Sequence, residues 1–501
     1  MSERDAHPFE SRLGRGPEEP LTRILEKRVD GMLRQFPAEI AMDMAHTVML
    51  AEQGILSRDD ATSILSVLRE LEAGGPDALP IDRGRSTLFW NVEKLLIDRL
   101  GENVGGRMHT GRSHNDILPT ISRLTARDRT VELLEKIVDL QESCLAVAAA
   151  HVRSVMPGYT SLQHGQPWTF GHYMSGWSYA LERDFSRVEH AFETTNQSPL
   201  GASALAGTSW PLDRARTADL LGFDDVMVHS RDAGFATKDY VAETLAAISI
   251  LMSNIASVST DLYVWSSFEF GMVELADGYS GSSSFMPQKK NPWAVDWARG
   301  AAGNAIGYLA SSLGAMKGAT STDGSAQTYP EAPLANAFDD AVDYLELISG
   351  AIATMTIRTD VMRARATAGW TTASNLADTI VRETGISFRS AHGIVARIVR
   401  DAVRDGVSPV GVTSAMVDVA AEAALGRRLE IPDDVIVDAL DAERFLDSRV
   451  TVGSVNPLEV ERMLGESRSQ VANERDRLER RRSRLAAAAR KLDQAVVSYV
   501  G

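Results

Sequence analysis

The chain has 501 residues, a length typical of about three domains. Hydrophobic residues make up 44% of it and charged residues 24%, a globular balance that excludes disorder as the dominant state. The formal net charge of -16 disfavours binding to nucleic acid or to an anionic membrane through the general electrostatic field, so an anionic ligand would need a local basic pocket.

Residues 1–20 are polar and contain three prolines, which predicts a mobile arm without the apolar centre of a signal peptide. The longest apolar run, residues 144–150, is far shorter than the roughly 20 residues that span a bilayer. The single cysteine, Cys144, excludes an internal disulfide and any multi-cysteine metal site. Together these features predict a soluble, cytoplasmic protein.

From residue 21 onward, helical patterns dominate. The stretches 123–152, 173–192 and 239–265 repeat apolar residues at steps of three and four, which predicts three long amphipathic helices. Three such helices in mid-chain favour a large helical bundle, and the width of their apolar seams suggests that other subunits complete one end of it. Strand signals are scarce, and short β-branched runs such as 224–228 are the only candidates.

The C-terminal stretch 459–492 predicts one charged helix. Its arginine run, 480–482, raises the alternative of nucleic-acid binding. Acidic residues are interleaved with that run at Glu474, Asp476 and Glu479, so a solvated helix face is the favoured interpretation.

Three segments carry polar residues suited to chemistry. The serine loop, residues 281–292, has four small residues, two bracketing prolines, and then a charge and an amide at Lys289 and Asn291. Gly/Ser stretches are usually linkers, but the Lys-Lys-Asn-Pro ending is unusual for one. The arginine segment, residues 108–116, precedes a long helix, where backbone N–H groups favour a carboxylate.

Ordinary helix capping is the alternative for the arginine segment, with Ser113 or Asn115 as the N-cap. The glutamine segment, residues 157–167, also precedes a helix and groups hydrogen-bonding side chains around a turn. Taken alone, the glutamine segment is ordinary capping chemistry as well.

Together the three segments resemble the fumarase/aspartase superfamily, and most closely its argininosuccinate lyase branch. The serine loop is similar to the superfamily signature, and Thr-Gly-Arg-Ser-x-Asn-Asp at 110–116 matches the branch. Similar runs occur at 166–173, 198–208 and 373–392. The resemblance extends from about residue 30 to about residue 400.

The resemblance implies an all-α, three-domain fold with a central long-helix bundle that forms a twenty-helix core in a homotetramer. Domain limits of 1–112, 113–364 and 365–501 follow from it. Each active site would combine segments of three subunits, and the reaction would be a β-elimination that releases fumarate. No cofactor and no metal are expected, since no phosphate-cradling loop or metal-ligand cluster is present in the sequence.

Residue roles follow from the same resemblance. Ser283 matches the family's base, and Lys289 and Asn291 would stabilise the doubly charged aci-carboxylate. A serine hydroxyl becomes a base only in a dry pocket with N–H donors and a nearby cation, which a closing lid provides. The other expected substrate-binding residues are Arg112, Ser113, Asn115, Thr160, Ser161, Gln163, Ser282, Ser284 and Met286.

The chain departs from argininosuccinate lyase at several positions. The histidine often assigned as the general acid is replaced by Ser161, and the upstream Asp-x-His becomes Thr87 and Phe89. His164 occupies the place of an arginine, and a surface or supporting role suits it better than catalysis.

The segment that differs most from the argininosuccinate lyase branch is residues 317–331, which we call the amine segment. Positions that are tyrosine, glutamine and lysine in the branch are Asp323, Thr328 and Glu331 here. Replacing the lysine with a glutamate removes a ligand for an amino-acid carboxylate, so we expect an N-substituted aspartate other than argininosuccinate. An alkylamine of pKa ~10 leaves without an added proton, which makes loss of the general acid tolerable.

The leading substrate is ethylenediamine-N,N'-disuccinate (EDDS), cleaved to fumarate, N-(2-aminoethyl)aspartate and finally ethylenediamine. Asp323 and Glu331 would then face a cationic diamine. The alternatives are argininosuccinate cleavage, a non-catalytic structural homologue, and related cleavages of iminodisuccinate or adenylosuccinate; no nucleotide-binding feature favours the last.

Overall fold

The computed structural model describes residues 17–235, 238–318, 320, 322, 324 and 328–501. Most of the expected N-terminal arm, and Asp323 of the amine segment, lie outside these residues. The helices are α1 (Glu19–Met32), α2 (Phe36–Glu52), α3 (Arg58–Gly74), α4 (Leu88–Leu100), α5 (Glu102–Gly105), α6 (His114–Ala150), α7 (Phe170–Thr195), α8 (Arg214–Leu221), α9 (Ser230–Phe235), α10 (Asp239–Trp265), α11 (Trp293–Met316), α12 (Leu334–Thr354), α13 (Thr359–Ala368), α14 (Ala373–Thr384), α15 (Phe388–Asp405), α16 (Ser414–Leu425), α17 (Asp433–Leu440), α18 (Ala442–Asp447) and α19 (Pro457–Val500).

The strands are short and pair two by two. They are β1 (Val155–Thr160), β2 (Gln163–Thr169), β3 (Gln197–Ser198), β4 (Asp225–Val226), β5 (Val273–Glu274), β6 (Gly281–Ser282), β7 (Lys290–Asn291) and β8 (Thr356–Ile357). The pairs β1–β2, β5–β8 and β6–β7 are antiparallel, and β3–β4 is parallel. The expected strand at 224–228 is present as β4.

The expected all-α bundle is confirmed. The three predicted helices correspond to α6, α7 and α10, and α11 and α12 complete the bundle by packing on α10 and on each other. Their buried apolar faces form the largest core of the protein. Helix α10 is long and apolar enough to cross a membrane, but 56% of its most apolar window is buried, as expected of a core helix.

Helix α6 sets the length of the bundle. It has 37 residues, so at about 1.5 Å per residue it spans roughly 55 Å. The arginine segment leads into its N-terminal end, and β1 begins five residues after its C-terminal end. We call these two regions the N end and the C end of the bundle.

Helix α19 joins regions that are distant in sequence. Its first half places five apolar residues in the bundle core, and its last turns place Leu492 and Val496 in a separate N-terminal core. A third core lies in α14–α17. Helix α19 belongs to the predicted third domain but packs on the first and second predicted domains. The domain limits remain a prediction.

The solvated-face interpretation of α19 holds for Arg480 and Arg482, which are exposed, but not for Arg481, which is largely covered and lies over the Phe192 ring at 4.5 Å. Arg481 pairs with Glu189 at 3.0 Å, and Arg482 donates to Glu135. Glu474 is an exception, because its side chain is buried and not part of the solvated face. Its Oε1 accepts a hydrogen bond from Gln470 at 3.1 Å, while its Oε2 has no partner in the described chain.

Candidate active site

The serine loop is closed at its base by a small ladder. Gly281 pairs with Asn291 and Ser282 with Lys290, so the residues between them form a compact exposed loop ahead of α11. A Cβ added at Gly281 would lie 2.0 Å from the Trp293 ring. Only glycine therefore allows the ladder to close against the first residue of α11.

Ser283 sits where the loop turns. Its Oγ accepts hydrogen bonds from the backbone N–H groups of Phe285 at 3.3 Å and Met286 at 3.0 Å. Two donors aimed at one hydroxyl oxygen are an arrangement that would stabilise negative charge on it. Ser284 and Met286 lie on the same exposed turn.

Two adjacent lysines of the loop have different surroundings. Lys290 is paired with Glu274 at 3.2 Å and with Asp277 at 2.8 Å. Lys289 has no ion-pair partner in the part of the chain that the structure describes; its backbone N–H donates to Met286 at 3.1 Å. The Lys289 charge is thus left available to a ligand.

The arginine segment ends in a helix cap, as one of the two sequence interpretations expected. Ser113 is the N-cap of α6, and the Asp116 carboxylate accepts its backbone N–H at 2.8 Å. The Asn115 amide donates to the carbonyl of Ala204 at 3.3 Å. Burial raises the pKa of Asp116 to about 6, although its backbone hydrogen bonds act in the opposite direction.

Arg112 does not point into an open cleft. Its guanidinium is fully buried, pairs with the equally buried Asp43 at 2.7 Å and donates to the carbonyl of Met108 at 3.0 Å. The guanidinium carbon of Arg112 lies over the Phe89 ring, 5.2 Å from the ring centre. The position of Arg112 does not support the expected contact with a substrate carboxylate. Its buried contacts with Asp43 and Met108 instead stabilise the arginine segment.

His114 lies between the two expected ligands Ser113 and Asn115 and was not singled out from the sequence. Its ring packs against Trp90 with the two planes tilted by 50° and the ring centres 4.4 Å apart, and its buried Nε2 has no partner in the described chain. Burial lowers the pKa of His114 to about 4, with a smaller effect from the charge of His109. The imidazole is therefore neutral at pH 7. In the sequence, only its position within the arginine segment could have indicated that His114 belongs to the candidate site.

The positions that replace the upstream Asp-x-His are structural. The Thr87 hydroxyl caps α4 by accepting the backbone N–H of Trp90 at 3.3 Å, and Phe89 is buried in the N-terminal core.

The glutamine segment forms the β1–β2 hairpin, which the sequence analysis did not predict. Ser161 and Leu162 make its turn, both with left-handed backbone angles, φ 53° and 58°. Such angles in two successive non-glycine residues are strained and concentrate at functional sites. Thr160 and Gln163 flank the turn as a cross-strand pair, so the three expected ligands of this segment lie together at an exposed tip.

His164 supports the hairpin. Its ring packs edge-on against Tyr159 at 5.3 Å, and a Cβ added at Gly369 would lie 2.4 Å from its Nδ1. Burial and then the charge of Arg365 lower its pKa. This packing agrees with the supporting role expected for His164.

The chain brings two of the three segments to the same end. Tyr159 of the hairpin contacts Phe270, with ring centres 5.7 Å apart, and Glu274 shortly after it binds Lys290 of the serine loop. The hairpin and the serine loop thus share the C end of the bundle. The arginine segment lies at the N end, roughly 55 Å away along α6, so one copy of the chain cannot join all three.

The amine segment lies towards the N end of the bundle, where Glu331 contacts α6 about two turns after the arginine segment. Glu331 accepts hydrogen bonds from Ser122 and from Tyr240, both at 2.7 Å, and pairs with the buried Lys238 at 2.5 Å. Its charge is therefore already matched within the chain, which weakens the expectation that Glu331 faces a cationic diamine. Thr328 donates to the carbonyl of Gly324 at 3.5 Å, and among the described side chains it forms no hydrogen bond with Glu331.

The described residues contain no group of three His, Cys, Asp or Glu side chains able to hold a metal ion. Burial raises the pKa of the Cys144 thiol to about 12, so this side chain acts as a core residue.

Comparisons with known proteins identify the family of the chain. A family described as Lyase matches residues 23–307, and one described as Argininosuccinate lyase C-terminal matches residues 370–447. The argininosuccinate lyase of Methanosarcina barkeri is 38% identical over 439 residues, 87% of each chain. A variant of EDDS lyase with bound fumarate superimposes with a TM-score of 0.87 at 30% identity, over 97% of this chain and 96% of that one.

A class II fumarase from Schistosoma mansoni has the same fold, with a TM-score of 0.69 at 14% identity over 87% of this chain and 96% of its own. The chain belongs to the fumarase/aspartase superfamily. Within it, the chain is a carbon–nitrogen lyase of the argininosuccinate lyase-like branch.

Proposed function

We propose that the protein cleaves an N-substituted aspartate by β-elimination, releasing fumarate and an amine. The observation that carries this proposal is the pair of backbone N–H groups, from Phe285 and Met286, that bind the Ser283 oxygen. The charge of Lys289, two residues after Pro287, has no ion-pair partner in the described chain. Together with the two N–H groups, it favours the ionised form of Ser283, which is the form that acts as a base.

In the reaction, the Ser283 oxygen takes a proton from C3 of the aspartate half, next to the C4 carboxylate. The C–H electron pair first moves into that carboxylate, giving an aci-carboxylate stabilised by Lys289 and Asn291. It then forms the C2=C3 double bond as the C2–N pair leaves with the nitrogen. The substrate nitrogen is already protonated, so the amine departs neutral without a general acid.

The position of the arginine segment at the opposite end of α6 from the serine loop and the hairpin supports a site built from more than one copy of the chain. We propose a homotetramer in which three subunits supply the serine loop, the hairpin tip and the pair Ser113 and Asn115. Helix α11 supports this assembly. Four of its large apolar side chains are exposed in the single chain, Trp293 and Trp297 on one side of the helix and Ile306 and Leu313 on the other. Exposed apolar patches of this kind mark interaction surfaces.

The substrate that we favour is EDDS. In the amine segment, Glu331 replaces the lysine of the argininosuccinate lyase branch. The Glu331 carboxylate already forms an ion pair with Lys238. Argininosuccinate is the second candidate, favoured by the 38% identity to an argininosuccinate lyase over most of the chain.

The test is the ultraviolet absorbance of fumarate released from EDDS and, separately, from argininosuccinate. We expect release from EDDS, lowered roughly 100- to 10000-fold in Ser283→Ala because a positioned base contributes that much. Ser63→Ala is the matched control, an exposed serine that donates only within α3. Release from argininosuccinate alone would establish the second candidate, and no release from either substrate would contradict the proposal.

A further inference from the structure

Three polar side chains line one face of the buried helix α2. Glu39, Asp43 and His46 follow one another at steps of four and three residues, so they lie on the same side of the helix. Each of them is at most 1% exposed. Polar groups that are buried this deeply require hydrogen-bond partners. We call these three residues the α2 polar row.

The α2 polar row contacts the arginine segment. Asp43 accepts a hydrogen bond from the buried Arg112 guanidinium at 2.7 Å, and Nε2 of His46 lies 2.9 Å from the carbonyl oxygen of Thr110. A carbonyl oxygen can only accept, so Nε2 carries the proton of that bond. Burial lowers the pKa of His46 well below its ordinary value, and the ring is therefore neutral.

The charges of the row do not balance if both of its carboxyl groups are ionised. Arg112 supplies one positive charge for Glu39 and Asp43, and the neutral His46 supplies none. An unmatched carboxylate that is shielded from water is unfavourable, so one of the two groups takes up a proton. Asp43 keeps its charge because Arg112 binds it directly, which leaves Glu39 as the neutral acid. Burial raises the pKa of Glu39 well above its ordinary value, and the charge of Asp43 acts in the same direction.

The charged groups next to the row have partners of their own. Glu93 of α4 lies 2.9 Å from His109 of the arginine segment. The Asp116 carboxylate of α6 accepts three backbone N–H groups. A proton on Glu39 is therefore the simplest way to neutralise the row.

An acceptor for the Glu39 proton is within reach. Side chains four residues apart on a helix are neighbours, and Oδ2 of Asp43 is buried without a partner in the part of the chain that the structure describes. Oε1 of Glu39 is buried and unpartnered there as well. One proton between the two carboxyl groups would satisfy both. Because Asp43 also binds Arg112, the residue directly before Ser113, such a hydrogen bond acts on the candidate site.

We propose that Glu39 is a positioning residue: as a neutral acid it donates a hydrogen bond to Asp43, and through Arg112 this bond orients the segment that presents Ser113 and Asn115. This inference rests on the proposed fumarate-releasing function, in which Ser113 and Asn115 bind the substrate. It assigns to α2, which contributes no expected substrate ligand, a part in shaping the site.

The first test detects the proton and needs no substrate. Glu39→Gln replaces the acid with a neutral amide of the same shape. The infrared spectrum of the wild type at pH 7, minus that of Glu39→Gln, should contain the carbonyl band of a protonated carboxylic acid, moved to lower frequency in D2O. A difference that contains only carboxylate bands would show that Glu39 is ionised and would overturn the inference.

The second test measures kcat and KM for fumarate release. Glu39→Met removes the donor and leaves the Asp43 carboxylate incompletely paired, so kcat/KM should fall about 10- to 100-fold, mainly through KM. Glu39→Gln keeps an N–H donor and should recover most of this loss. The matched control is Glu70→Met, at an exposed glutamate of α3 that pairs with Arg99 on the surface, and it should match the wild type. Circular dichroism checks that each variant is folded, and Glu39→Ala replaces Glu39→Met if the latter is not.

Equal losses in Glu39→Met and Glu39→Gln would mean that the site needs the charge of Glu39 and not its proton. A Glu39→Met variant that unfolds more easily but keeps its KM would mean that Glu39 only supports the fold. Either result overturns the inference while fumarate release by the wild type stands. A wild type that releases fumarate from neither EDDS nor argininosuccinate would instead remove the proposed function, and the positioning role with it, whereas the infrared result would be unaffected.

Discussion

One oxygen of the buried Asp116 carboxylate accepts the backbone N–H of Ser203 at 2.8 Å, across 87 residues of sequence. The same oxygen accepts the N–H of Gly201 at 2.9 Å, and the other oxygen accepts that of Ser113. Ser203 has a left-handed φ of 58°, an unfavourable angle for a residue with a side chain. A single carboxylate thus fixes the start of α6 and the loop 198–208 to each other.

Replacing Asp116 with asparagine should weaken both stability and activity. The amide group can satisfy fewer of the three N–H donors, and a buried unsatisfied donor costs about 1–3 kcal/mol. We expect a comparable fall in the free energy of unfolding and a kcat/KM lowered at least about tenfold, because Ser113 loses its position. Denaturant unfolding and fumarate release measure the two effects. Asp128→Asn, on an exposed part of α6, should change neither, and an unaffected Asp116→Asn would contradict the role.

Gly281→Ala should disable the serine loop. The new methyl group would overlap the Trp293 ring, so the β6–β7 ladder must shift or open. We expect fumarate release to fall at least about 100-fold, since misplacement of about 1 Å can cost that much. The nearby Gly278→Ala, where an added Cβ meets nothing within 4 Å, is the control. Equal activities of the two variants would show that the ladder is not required.

Glu474 should make stability depend on pH. Burial raises its pKa to about 7 from an ordinary value of 4.5, so the folded protein binds the proton more tightly than the unfolded chain. This contribution is fully present below about pH 4.5 and is lost as the pH rises through 7. Glu474→Gln mimics the protonated form and should raise the free energy of unfolding by about 1–3 kcal/mol at pH 8.

The difference between Glu474→Gln and the wild type should vanish by about pH 4, where both side chains are neutral. Chemical denaturation at the two pH values measures it. The exposed Glu479→Gln, on the same helix, should show no such pH dependence. A Glu474→Gln difference that is the same at both pH values would rule out titration as the cause.

Two adjacent valines near the C-terminus form a matched pair. Val496 is 0% exposed and lies in the N-terminal core, whereas Val497 is 42% exposed. Val496→Ala should lower the free energy of unfolding by about 1–3 kcal/mol, and Val497→Ala by less than about 0.5 kcal/mol. Thermal unfolding of the two variants side by side measures this. Similar melting temperatures would mean that the end of α19 does not contribute to the N-terminal core.

Local periodicity was enough to predict the long helices. Stretch 239–265 matches α10 residue for residue, because its core contacts repeat every three to four residues. The β1–β2 hairpin has no such signal. Its strands contain Pro157 and Pro167, and its turn uses two residues with left-handed angles, so contacts with the rest of the fold stabilise it against local preference.

Motif spacing predicts where the candidate site residues lie in the chain, but not where their side chains point. Arg112 is directed inward by Asp43, which lies 69 residues away in the sequence. Glu331 is neutralised by Lys238, 93 residues away.

The path of α19 has a consequence for how the protein is made. Leu492 and Val496 complete a core whose other residues come from the first part of the chain and from α6 and α8. During synthesis, the N-terminal core therefore remains open until Leu492 and Val496 have left the ribosome and α19 is free to pack. This core is begun early and completed late, and until then its apolar surface is exposed to chaperones and to neighbouring nascent chains.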